Sequence, residues 1–254
     1  MNINYIIPYT CKKEKRRMKK QEKFSKKLGK ALAFSAYFRY NVTSEYIRIG
    51  KMKKEKIYRV FSHLPELITE RLTLRKILVL DTQDMYEYSS RSDVTKYLTW
   101  NPHPDKTYTK EYLEYLGNRY AAGMFYDWAI VYEPDCKMVG TCGFTSFNCA
   151  ADSAEVGYVL NPEYWGKGIA AEALERVLTF GFEELKLHRI EARFMEGNER
   201  SRHLMERVGM QFEGFHRDAM LVKGKYVTVG VCAILCDEWH ARTQDSNQKK
   251  AANE

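Results

Sequence analysis

The sequence predicts a mixed α/β domain in which the strands of a central sheet interleave with a few helices. Three observations carry this. Short alternating or apolar runs recur from about Thr69 onward; stretches with apolar residues three and four apart lie between them; and the pattern ends in a long hairpin. With 254 residues, 44% of them hydrophobic, the chain can bury one sizeable core or two small ones, which excludes global disorder.

Arg71–Ile77 sets Leu72, Leu74 and Lys76 against Arg71, Thr73 and Arg75, the alternation of a half-buried strand. Asp81 reads as the N-cap of a short helix through Tyr88, followed by an irregular helical stretch at Ser92–Leu98. Pro102 and Pro104 halt regular structure. Tyr112, Leu116 and Tyr120 then mark one face of a second helix. Tyr126–Tyr132 and Met138–Phe144 form a hairpin about Glu133-Pro134-Asp135, where proline presets a tight turn. Glu155–Leu160 is a further strand, closed by Asn161-Pro162. Ile169, Ala173, Leu174, Val177, Leu178 and Gly181 make the inward stripe of a longer helix. A strand at Arg189–Phe194, a helix at Glu199–Val208 and a hairpin of Met210–Val222 with Tyr226–Leu235 complete the pattern.

The formal net charge of +8 is unevenly spread, with residues 1–60 carrying +14 and the remainder −6. Residues 1–60 therefore read as a basic extension, 61–242 as the folded domain, and 243–254 as a polar tail. Within the extension, residues 11–30 are dominated by mutually repelling Lys and Arg. One reading is an arm for RNA, the ribosome or another anionic surface, because neutralising phosphates releases counterions. The plainer one is a solvated tail. Met52 offers a third, since it would serve as a normal start, leaving the upstream segment an over-extended translation. No apolar run approaches the ~18 residues of a membrane-spanning helix, and the six cysteines show neither CxxC pairs nor a disulfide framework. The expected setting is a reducing cytoplasm, with no membrane partner.

The most informative segment is Glu155–Glu172, EVGYVLNPEYWGKGIAAE, in which a strand runs through Gly166 and Gly168 into a helix. The first-turn N–H groups of such a helix lack intrahelical partners and, with the positive end of its dipole, make an anion site. Glycine lets a phosphate approach the backbone. A plain tight turn accounts for the same two glycines. No Gly-Lys-Ser/Thr follows, so this is no Walker loop, and the spacing departs from GxGxxG.

Together with ERLTLRK at 70–76, DVTKYLTWNPH at 93–103, VGTCGF at 139–144, HRIEARFMEGNERS at 188–201 and LMERVGMQFEGFHR at 204–217, this segment resembles the GNAT superfamily of acetyl-CoA-dependent N-acetyltransferases, in its RimJ/RimL-like branch. The resemblance spans roughly residues 66–240. It implies a GNAT fold, with a mixed, mostly antiparallel sheet flanked by helices, and a cosubstrate, acetyl-CoA, with no metal.

It further implies that the backbone of Tyr158, Val159 and Leu160 pairs with the pantetheine arm. Trp165 opens the phosphate loop, and Gly166, Lys167, Gly168, Ile169 and Ala170 cradle the pyrophosphate, Lys167 either adding a point charge or standing solvated. Asn198 contacts the cofactor, although a capping role would equally account for it. The tyrosine that many relatives place seven residues later is Met205 here, which cannot protonate a thiolate, so Ser201 is the available donor. Glu155 is the candidate base and the Val159 N–H the oxyanion donor. Exposure is the usual fate of a glutamate, and alternation alone does not say which face is the cleft.

The six histidines form no HxxxH or HExxH pattern, and no GxSxG elbow occurs, so metal hydrolysis and a serine triad find no support. The expected activity is acetyl transfer to a primary amine, above all a protein N-terminal α-amine such as that of a ribosomal protein. The alternatives are a small amine such as an aminoglycoside or polyamine, and a catalytically weak module that docks on RNA through its arm.

Overall fold

The structure, a computed structural model, describes residues 54–251. The basic stretch at 11–30 and the candidate start at Met52 lie outside the described residues.

Helix α1 covers residues 54–62. It is followed by strands β1 (Leu67–Ile68) and β2 (Leu72–Arg75), helices α2 (Thr82–Ser89), α3 (Ser92–Thr95) and α4 (Lys106–Ala121), and the strands β3 (Tyr126–Tyr132), β4 (Lys137–Asn148) and β5 (Ser153–Leu160). Helix α5 (Ile169–Glu183), strand β6 (Arg189–Met195), helix α6 (Glu199–Arg207), the hairpin strands β7 (Gln211–Val222) and β8 (Lys225–Leu235), and helix α7 (Cys236–Ala251) complete the chain. One eight-stranded sheet runs in the order β1-β2-β3-β4-β5-β6-β8-β7. Every neighbouring pair is antiparallel except β5 and β6. The expected mixed, mostly antiparallel sheet is therefore the observed one.

The two faces of the sheet follow from strand alternation. Trp128, Ile130, Phe144, Val156 and Leu160 join the main core beneath α1 and α5, together with Ile169, Leu174, Val177 and Leu178 of α5. Ala129 and Val159, of opposite parity, meet Met85 and Tyr88 of α2 and Leu113, Leu116 and Tyr120 of α4. Tyr112, expected on the inward stripe of α4, lies at its edge, and Thr109 and Leu113 take the buried positions instead.

Three regions add to or depart from the sequence-based expectation. Helix α1 places folded structure ahead of residue 61, with Ile57 and Val60 against the core and Phe61 fully buried among Tyr126, Trp128, Phe144, Phe147 and Phe180. The lysines at 53, 54 and 56 mask its apolar spacing in the sequence. At the other end the polar segment from 243 carries on the helix α7 as far as Ala251, and within the domain Trp239 of that helix stacks on Phe182. Finally, the Asp81 carboxylate does not cap α2. It turns back to accept from the Leu78 N–H at 2.7 Å and from Arg75 at 2.7 and 2.9 Å.

Candidate active site

Strand β5 is paired with β4 along its whole length, from Ser153 opposite Asn148 to Leu160 opposite Gly140. With β6 it pairs only over Ser153–Val156, opposite Arg189–Ala192. Beyond that point β6 stays with β8 as far as Met195 and leaves β5 behind. Residues 157–160 thus present an edge with no strand beside it, and a cavity of about 760 Å³ opens in the gap.

The cavity passes between the two faces of the sheet. Tyr158, Ala170, Asn198, Ser201, Leu204 and Met205 line it on the side of α5 and α6, whereas Asp127, Thr141, Gly143, Glu155, Gly157 and Val159 line it on the side of α2 and α4. Glu155 therefore faces the cleft, at the end opposite Tyr158. Tyr97, Leu98 and Trp100 add an apolar wall. The β7–β8 hairpin reaches the same region, where Lys223 Nζ at its tip donates to the Thr95 carbonyl of α3 at 2.7 Å.

The loop before α5 is held from beneath. Gly166 and Gly168 take left-handed φ values of 76° and 77°, which a side chain would strain. The Glu172 carboxylate, in the first turn of α5, accepts from Thr69 Oγ1 at 2.6 Å, the Arg71 N–H at 3.1 Å and Arg71 Nε at 2.8 Å. Arg71 Nη1 also donates to the Lys167 carbonyl at 3.1 Å. Burial pulls the Glu172 carboxyl upward, and these bonds outweigh it and hold it below the usual carboxylate range. The arginine fixes the loop and balances a carboxylate that would otherwise oppose an anion there. An open groove beside it, lined by Arg71, Gly166, Lys167, Gly168 and Arg207, continues outward.

Several side chains are already engaged. Trp165 Nε1 donates to the Leu160 carbonyl at 2.9 Å, and the Arg200 guanidinium lies 4.0 Å from the centre of its ring. The Lys167 ammonium sits 4.6 Å over the Tyr164 ring. Ile169 is fully buried, so only its backbone belongs to the loop. Asn198 caps α6 by accepting from the Ser201 N–H at 3.4 Å while also lining the cavity. Ser201 Oγ is 2.7 Å from the Tyr158 hydroxyl, and burial raises that phenol's pKa. Met205, in the position of the family's tyrosine, is buried.

At the end of the cavity facing α2 and α4, burial raises the Glu155 carboxyl despite Arg193, whose Nε lies 3.6 Å away. Among the described residues no group of three His, Cys, Asp or Glu side chains gathers to hold a metal. His103 is a packing residue, its Nδ1 lying 3.0 Å from Ser89 Oγ and 2.9 Å from Thr109 Oγ1.

Residues 71–211 match the acetyltransferase (GNAT) domain model. The chain belongs to the GNAT acetyltransferase family. Its relatives include an uncharacterized N-acetyltransferase, p20, of Bacillus licheniformis, 34% identical over 68% of this chain and 97% of that protein. The spermidine N(1)-acetyltransferase of Vibrio cholerae is 25% identical over 70% of this chain and all of that protein. The ribosomal protein uS5-alanine N-acetyltransferase of Escherichia coli is 28% identical over 43% of this chain and 57% of its own length. A GNAT-family acetyltransferase structure from Bacillus anthracis superposes with a TM-score of 0.61 at 29% identity, covering 68% of this chain and 99% of that one.

As a GNAT N-acetyltransferase the protein uses acetyl-CoA as its acetyl donor. The unpaired edge of β5 and the N-terminus of α5 fit such a cosubstrate, one offering amide-pairing groups and the other anion-binding N–H groups. Arg71 and Arg200 were not foreseen in the sequence. Arg71 lies just ahead of β2, far in sequence from the loop it holds, and its partner Glu172 is 101 residues away.

Proposed function

We propose that the chain moves acetyl from acetyl-CoA to a primary amine by direct attack, its acceptor being a protein N-terminal α-amine such as that of a ribosomal protein. The observation that carries this is the cavity through the sheet, with the phosphate-type loop on one side and a carboxylate-bearing wall on the other. The name of the uS5-alanine relative supports the choice of acceptor. Among the described residues the five cysteines, Cys136, Cys142, Cys149, Cys232 and Cys236, are free thiols, which favours the cytoplasm.

In this reading the backbone of Tyr158–Leu160 pairs with the pantetheine amides, and the N–H groups of Gly166–Ala170 bind the pyrophosphate. The Val159 N–H polarises the thioester carbonyl. Glu155 accepts a proton from the attacking nitrogen, directly or through water. Carbon–sulfur cleavage leaves a thiolate, which Ser201 serves as hydroxyl donor, backed by Tyr158.

A mixture of acetyl-CoA with N-terminal peptides, set beside a panel of small amines and followed by thiol release, tests the proposal. Turnover on the small amines alone would replace it with the second reading, a polyamine-type acceptor, which the Vibrio cholerae spermidine relative favours.

A further inference from the structure

Asp127, the second residue of β3, is on the α2–α4 face of the sheet and lines the cavity, half-buried. Its register partner on β4 is Gly143, whose own partner on β5 is Gly157. Directly paired residues share a face, so these three form one row across three strands, and the last two carry no side chain. The Asp127 carboxylate leans into that lane, because a Cβ on Gly143 would stand 2.8 Å from its Oδ1. At Gly157 a Cβ would meet Thr145 Cγ2 at 2.9 Å. All three residues line the cavity, so a side-chain-poor row about two strand spacings long, roughly 10 Å, runs from Asp127 to the free edge of β5.

The surroundings of this carboxylate are neutral. Tyr88 of α2 and Tyr112 and Tyr120 of α4 all keep their protons at neutral pH, each pushed upward by burial. Tyr120 spends its hydroxyl hydrogen on the Asp127 carbonyl at 2.6 Å. The Asp127 carboxylate takes two neutral donors, the adjacent Trp128 N–H at 3.1 Å from Oδ1 and the Thr141 hydroxyl. Across the cavity Glu155 is matched by Arg193, which also pairs with Glu191 at 2.9 Å. Among the described residues Asp127 has no cationic partner within ion-pair distance. Even half-buried, an anion without an internal counter-ion carries a desolvation cost, and the chemistry that relieves it from the cavity side is an ammonium.

We propose that Asp127 is the subsite for the acceptor's ammonium group and takes the first proton from it. This rests on the acetyl-transfer reading above and adds what that reading lacked, since an amine arrives protonated and cannot attack until it loses a proton. One N–H bond breaks and Asp127 gains that proton. The freed nitrogen pair forms the C–N bond at the thioester carbonyl, and the C–S bond breaks with its electron pair on sulfur. A second proton leaves nitrogen towards Glu155, one proton ends on sulfur, and one is released to solvent. Burial raises Asp127 to about 7, against the pull of Thr141 and the Trp128 N–H, so the carboxyl can hold and return a proton near neutrality.

The test compares the full chain with Asp127→Asn and Glu155→Gln, measuring kcat/KM for the acceptor against pH, acetyl-CoA affinity by calorimetry, and thermal midpoint. The proposal expects Asp127→Asn to lose 10²-fold or more in acceptor kcat/KM and to lose the rise in rate through about pH 7. Acetyl-CoA affinity should be unchanged, and the thermal midpoint should not fall. Glu155→Gln should keep that rise, and Asp127→Glu should restore part of it. An Asp127→Asn enzyme that keeps the parent's rise would overturn the proposal while leaving the acetyl-transfer reading intact. A parent chain that acetylates no amine at all would overturn both.

Discussion

The hydroxyl of Tyr158 on β5 lies 2.7 Å from the hydroxyl of Ser201 on α6, across the gap where the sheet parts. The two residues are 43 positions apart, and Met205 occupies the helical position where the family resemblance leads one to expect a tyrosine. A phenol is therefore present beside the serine, delivered from the strand instead of the helix.

Ser201→Ala should lower kcat on the order of tenfold or more with little change in acetyl-CoA affinity, because a thiolate gains strength as an acceptor only as C–S cleavage proceeds. Tyr158→Phe should lower kcat in the same direction, and the double variant should cost less than the product of the two single losses. Steady-state kinetics on the three variants checks this, and strictly multiplicative losses would show that the hydroxyls act separately.

Glu172→Gln leaves Arg71 with an uncompensated charge and loosens the loop. Arg71→Ala removes the support of the Lys167 carbonyl as well. Both should raise KM for acetyl-CoA, Arg71→Ala more, while KM for the acceptor moves little. Calorimetric titration with CoA and with CoA lacking its 3′-phosphate would show whether the loss is shared by every phosphate or confined to one.

The raised Asp127 carboxyl makes a stability prediction whose sign is opposite to that of an ion-paired aspartate. Its folded value near 7 exceeds the ordinary 3.8, so between these pH values the unfolded chain releases the proton while the folded one retains it. Stability should fall as pH rises across that window and level off above it, by at most about 4 kcal/mol for a shift of this size. In Asp127→Asn the fall should shrink, and at pH 8 the variant should be more stable than its parent. Urea titrations at pH 5 and 8 provide the comparison.

Gly157→Ala places a methyl group in the lane in front of Asp127. Its nearest neighbour, Thr145 Cγ2, belongs to an exposed side chain that can rotate away, so the fold should survive with a loss of under about 1 kcal/mol. Acceptor kcat/KM should drop while acetyl-CoA affinity holds. Unaltered kinetics would place the acceptor's path elsewhere.

Phe61→Ala should cost about 3–5 kcal/mol, the range for an emptied aromatic core site, measurable in urea. A chain beginning at Met52 should match the parent's stability and turnover, and one beginning at Pro65, without α1, should not fold stably.

Much of the domain was legible because period-2 and period-3.6 patterns are strong where one face is buried, as in Arg189–Phe194 or along the Ile169–Gly181 stripe. The phosphate-type loop was equally readable, since its glycines and helix start lie together in sequence. What escaped has a common cause. The lysines around α1 hid Ile57, Val60 and Phe61, whose burial depends on aromatic residues more than 60 positions away. Asp127 carried no local signal, because its meaning arises from Gly143 and Gly157, which only strand register brings alongside. The facing of Glu155 likewise awaited the point at which β6 leaves β5.

The four-residue ladder between β5 and β6 also bears on how force and motion pass through the molecule. The antiparallel leaf of β6, β8 and β7 is joined to the leaf of β1 to β5 by that short seam, by α5 and α6, and by the Lys223–Thr95 contact at the hairpin tip. A ligand whose amides bind along residues 157–160 while its phosphates sit at the start of α5 would splice the open half of the seam. Amide hydrogens of β5 and β6 should then exchange together, more slowly and as one cooperative unit, once acetyl-CoA is bound, so that the cosubstrate serves for part of each turnover as a missing strand.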